Sequence, residues 1–119
     1  MNDNINKKLV DTRKFDDNTK LYIETKRNVY EILFIEPING IVIAYNCTGW
    51  LSGIKVRFNG CTFGGSCLKM GHIGKDMNME FQYLDGSKVG QIHITTNIQT
   101  GKIVGPNNEW NFELWKENK

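Results

Sequence analysis

The chain has no apolar run that approaches the roughly 18–20 residues needed to cross a bilayer as a helix. Its first twenty residues, Met1 to Lys20, are polar from the start and hold no apolar core of a signal peptide. These two absences lead to the expectation of a cytoplasmic protein without a membrane partner. Only three cysteines occur, an odd number, so a small fold stapled by disulfides is not expected. There is no internal repeat, linker or low-complexity tract, which leaves one domain over 1–119. Neither G-x-x-x-x-G-K-[ST] nor G-x-G-x-x-G is present, and no cofactor is expected. Most telling, no Asp or Glu occurs from Pro37 through Lys75.

What is there is an ordinary globular composition: 119 residues, 39% hydrophobic and 24% charged. Abundant Asn, Lys and Ile suggest an AT-rich coding sequence, as in a low-GC bacterium or its phage. The net charge of +2 is unevenly spread, because Lys55, Arg57, Lys69 and Lys75 give the acid-free stretch +4 while the rest sums to −2. A basic centre of this kind focuses field on a small anion. It is too weak for extended nucleic acid, and no RNP-like interleaving of aromatic and basic residues supports one.

The polar segment 1–17 reads as an arm or a short helix around Ile5, Leu9, Val10 and Phe15. From Lys20 to Trp115 the pattern is β. Strands are expected at 20–26, 28–36, 41–47, 53–58, 79–84, 88–98, 102–104 and 109–115. Asn39-Gly40, Asp85-Gly86 and Thr100-Gly101 mark turns, and Pro106-Asn107-Asn108 breaks the chain before the last strand. Ile54, Val56 and Phe58 share one face of their strand, with Lys55 and Arg57 on the other. Met79, Phe81 and Tyr83 point inward, Ile92 and Ile94 alternate with His93 and Thr95, and Trp115 lies with the polar face. Only Gly65 to Met70 suits a helical turn. The fold class expected is mainly β, a single antiparallel sandwich or partly open barrel with at most one or two short helices.

Three chemistries compete for the stretch 56–75. Cys47, Cys61, Cys67 and His72 have the ligand types of a zinc site, but the first interval of C-x13-C-x5-C-x4-H is too long for a CCCH finger. Buried thiols and a loop histidine account for them better. A nucleophilic Cys67 with His72 or His93 as base, oriented by Asp76 or Glu80, lacks any surrounding signature. An anion site uses more of the residues. Gly64 and Gly65 allow backbone N–H groups to converge on phosphate, and Arg57 offers a guanidinium fork. Lys69, His72 and Lys75 follow, with Phe58 and Phe63 nearby to stack on a ring and Trp115 further off. The competing account is that Gly60, Gly64 and Gly65 form only a bulge and a tight turn.

The segments "YNCTGW" (45–50), "IKVRF" (54–58), "NGCTFGGSCLKMG" (59–71) and "MEFQY" (79–83) resemble the phage anti-Thoeris proteins of the first Thoeris anti-defence family, over residues 28–98. That resemblance implies a non-enzymatic sponge. Such proteins bind cyclic ADP-ribose isomers made by bacterial TIR-domain enzymes and enclose them between subunits, and some bind cyclic oligonucleotides. It also implies a homo-oligomer, a dimer or higher. Arg57 would then pair with the pyrophosphate and Lys69 or His72 would assist. Two other classes remain open: a protein-directed inhibitor, such as an anti-CRISPR or immunity protein, and a Cys-His enzyme acting on a nucleotide signal.

Overall fold

In the computed structural model, residues 7–46, 51–63 and 67–116 are described. The fold is mainly β and antiparallel throughout, with short 3-10 turns and no longer helix among those residues. The ten strands are β1 (Leu9–Asp11), β2 (Thr19–Thr25), β3 (Val29–Glu36), β4 (Ile41–Asn46), β5 (Ser52–Thr62), β6 (Leu68–Met70), β7 (His72–Gly74), β8 (Asn78–Tyr83), β9 (Ile92–Val104) and β10 (Asn111–Leu114).

Six of these strands form a closed circuit: β2 pairs β3, β3 pairs β4, β4 pairs β5, β5 pairs β8, β8 pairs β9, and β9 returns to β2. The architecture is thus an up-and-down barrel, with β10 added along β9, β6 along β5, and a two-stranded β1–β7 ribbon beside it. Closing a sheet requires strands that bend. The two longest strands supply the bends as bulges, where register shifts between Phe58 and Gly60 on β5 and across Gln99 on β9.

Period-two alternation explains which residues fill the barrel. Leu21 and Ile23, Tyr30, Ile32 and Phe34, Val42 and Ala44, Val56 and Phe58, and Met79 and Phe81 all turn inward and are buried. Their rings form a column. Phe15 meets Phe34 edge-on at 5.2 Å, Phe34 meets Phe58 at 6.0 Å, and Phe58 meets Phe81 at 5.6 Å. Tyr30 and His93 continue it, each 6.3–6.5 Å from its neighbours.

Three local expectations are corrected. Leu68–Met70 is a strand rather than a helical turn, because it pairs with Gly60–Thr62 of β5. The Thr100-Gly101 turn does not form: β9 runs unbroken to Val104, since Gly101 sits between Ile23 of β2 and Leu114 of β10. Trp115 does not join the polar face but packs partly buried against the core. Within the 1–17 segment, the described residues begin at Lys7. Leu9–Asp11 pairs with β7 and Thr12–Lys14 makes a 3-10 turn, pinned where Thr12 N–H donates to Gly71 O at 2.8 Å.

Candidate functional site

Among the described residues expected to form an anion site, Arg57 and Phe58 lie apart from Lys69 and His72. Arg57 is exposed on the outer face of β5, between Ile41 of β4 and Gln82 of β8. Phe58, its neighbour, is 2% exposed and locked in the ring column, so it cannot stack on a ligand outside; that role is corrected to core packing. Lys69 is exposed on β6 opposite Cys61. Four residues of strand separate Cys61 from Arg57, about 13 Å at strand rise. Phe63 is exposed at the end of β5, and Gly64 and Gly65 lie outside the described residues. Gly60 does form a bulge. Its φ of +139° and the close approach of Lys69 O leave no room for a Cβ, which is the structural account weighed for it above.

His72 belongs to a different group. Its Nδ1 lies 2.8 Å from Met70 O and its Nε2 3.8 Å from Asp11 Oδ2 on the β1–β7 ribbon. Arg13 donates to the same carboxylate through Nε at 3.0 Å and Nη2 at 3.2 Å. Partial burial works to raise the Asp11 carboxyl, but the Arg13 hydrogen bonds and charge outweigh it and hold the group below its usual range.

The two described cysteines, Cys61 and Cys67, are both free thiols. Cys61 is buried, and burial pushes its thiol up to about 12, against a smaller lowering from the Gly74 backbone. A thiol held in that state is neither a good ligand nor a nucleophile. Cys67 is exposed, Cys47 lies outside the described residues, and among the described residues no three His, Cys, Asp or Glu side chains cluster as a metal site.

Concavity occurs elsewhere. A cleft of about 410 Å³ runs along β2, β9 and β10 and onto Trp115 and Lys116. Three lysines line it: Lys75, Lys102 and Lys116. Tyr22 and Trp115 supply aromatic surface, and Glu24 and Glu113 supply carboxylates. Register explains the layout, since Tyr22, Lys102 and Glu113 are cross-strand neighbours on one row while Ile23, Gly101 and Leu114 form the next.

Trp115 is held firmly at this cleft. Its φ of +54° is a left-handed backbone that costs a bulky residue on the order of 1–3 kcal/mol. A Cβ on Gly101 would lie 2.8 Å from the Trp115 ring, so glycine is what lets the indole sit close to the strand. The Trp115 Nε1–H donates to Lys8 O at 2.9 Å. Sequence reasoning named Lys75 and Trp115 but missed Lys102, Lys116 and Tyr22. Those residues meet through the β2–β9–β10 pairing, and no local spacing announces it.

A second cleft, also about 410 Å³, lies at the His93 end of the barrel and is lined by Arg27, Tyr30, Asn46, His93 and their neighbours. Burial, with a smaller contribution from Lys88, lowers the His93 imidazole from its ordinary value.

No protein-family model, no curated protein and no solved structure matches this chain. Among the described residues no helix is long and apolar enough to cross a membrane.

Proposed function

We propose that this chain is a non-catalytic binding protein that captures a small nucleotide-type anion, of the cyclic ADP-ribose kind that the sequence resemblance implies. The supporting observation is the Trp115 cleft, where three lysines, one of them 4.0 Å from Glu113, line the same concavity as a hydrogen-bonded indole. In this reading the base stacks on Trp115, which is sequence-tolerant because every base has a π face. Lys75, Lys102 and Lys116 neutralise the phosphates as mobile point charges. Glu24 or Glu113 accepts from ribose hydroxyls. The site thus shifts from Arg57 to the β2–β9–β10 face. A homo-oligomer, with subunits completing the enclosure, belongs to the same reading and comes from the resemblance.

A specific observation favours a second reading, an inhibitor directed at a protein. Leu68 and Met70 are exposed on β6, the terminal strand on that side of the sheet among the described residues, and Phe63 is exposed just past the end of its partner β5. An apolar strand edge is a ready template for another chain.

Thermal unfolding against cyclic ADP-ribose isomers, cyclic dinucleotides and ADP-ribose separates the two. Ligand capture raises the midpoint, and the ligand returns chemically intact after heat release. A flat panel with a protein retained in pull-downs supports the inhibitor, and a cleaved ligand would show an enzyme.

A further inference from the structure

The cleft at the His93 end shares no lining residue with the Trp115 cleft. Its lining is Arg27, Asn28, Tyr30, Asn46 and the β9 residues His93 to Thr96, with no carboxylate among them. Arg27 makes no ion pair among the described residues.

The lip that carries Arg27 is stapled in place. Its backbone N–H donates to Thr96 Oγ1 at 3.3 Å, and that hydroxyl donates to Thr25 Oγ1 at 3.0 Å. Thr25 Oγ1 in turn donates to Asn28 O and accepts from Asn28 N–H, both at 3.1 Å. Lys26 N–H adds a bond to Asn97 O at 2.9 Å. The β2–β3 turn is therefore fixed to β9, and the guanidinium departs from an ordered backbone.

The floor is aromatic and polar together. His93 Nε2 lies 3.4 Å from the Tyr30 hydroxyl, at the end of the ring column, while Ile94 is exposed beside it. Among the described residues, the charged and titratable groups placed around His93 are Tyr30 from β3, Arg27 from the β2–β3 turn and Lys88 from the β8–β9 turn. Lys88 sits with its ammonium 5.4 Å over the Tyr83 ring. None of these groups is acidic.

We propose that the barrel mouth is a second ligand site, for a small organic oxyanion with an apolar or aromatic body. The oxyanion, carboxylate or phosphoryl, is held by Arg27 and by His93 in its protonated form, and the body rests on Tyr30 and Ile94. A guanidinium fork suits either head group. Bound negative charge favours the imidazolium, so binding takes up a proton and tightens as pH falls.

The experiment follows the His93 ring signals of the full chain by NMR while benzoate or phenyl phosphate is added. Saturable shifts with either compound are expected, and the compound that acts identifies the head group. Benzoate stays ionised across the range, so it carries the pH comparison: affinity at about pH 5.5 should exceed that at about pH 7.5 by roughly threefold or more. Arg27→Ala should weaken binding about tenfold or more. His93→Gln should remove the pH dependence, and Lys102→Ala, which disables the Trp115 cleft, should leave the His93 ring shifts and their affinity as in the wild type, which separates the two sites. Absence of saturation with both compounds overturns the proposal, as does an affinity unchanged in Arg27→Ala.

Discussion

The indole N–H of Trp115 donates to the carbonyl oxygen of Lys8 at 2.9 Å, across 107 positions of sequence. This bond ties the residue after β10 to the one before β1, and it does so at the wall of the cleft along β2, β9 and β10. Trp115→Phe keeps a ring but removes the donor. It should cost about 0.5–1.5 kcal/mol in urea unfolding and leave ligand capture largely intact. Trp115→Ala should remove capture as well.

Gly101 leaves the space that the indole occupies. A Cβ there would stand 2.8 Å from the Trp115 ring, 3.0 Å from Ile23 Cδ1 and 3.3 Å from Leu114 Cδ1. Three neighbours cannot all yield at once in a packed wall. Gly101→Ala should lower stability by about 1–3 kcal/mol, and a shifted Trp115 fluorescence would report the displaced ring.

Arg57 and Phe58 are adjacent in sequence and opposite in consequence. Phe58→Ala opens a cavity between Phe34 and Phe81 and should cost about 3–5 kcal/mol. Arg57→Ala touches an exposed strand face and should change stability by less than about 0.5 kcal/mol. Its affinity for a nucleotide-type ligand should also be unchanged, measured by calorimetry, if the Trp115 cleft is the site.

Cys61 gives an alkaline signature. Burial pushes its thiol up to about 12 in the fold from its ordinary 9.0 when unfolded, so the folded state holds the proton more tightly. The associated stability is complete below pH 9 and is lost as pH rises towards 12, at on the order of 1 kcal/mol per pH unit. Cys61→Ala should flatten that slope in urea unfolding at successive pH values, whatever it does to stability at neutral pH.

Several barrel strands were legible because one face is apolar at period two, as in Lys55-Val56-Arg57-Phe58 and Met79 to Tyr83. The closure was not: Gly60 marked the bulge on β5, but the one at Gln99 on β9 carries no residue type that locates it. The short strands β1, β6 and β7 escaped for another reason: three residues carry too little pattern, and only their partners make them strands. On β9 the alternation was visible but the faces turned out as His93 and Thr95 inward, with Ile92 and Ile94 exposed. As for the site, Lys75 and Trp115 stood out by residue type. Lys102 and Lys116 did not, since each reads alone as a solvated cation.

The most direct measurement is the unfolding midpoint of the chain, with and without cyclic ADP-ribose isomers, for wild type and Lys102→Ala side by side. A ligand at about 100 times its dissociation constant adds about 2.7 kcal/mol, which for a domain of this size is roughly 10 °C. The sponge reading predicts that shift in the wild type, a much smaller one in Lys102→Ala, and intact ligand released on heating. No shift in the wild type, or equal shifts in both proteins, would contradict capture at the Trp115 cleft.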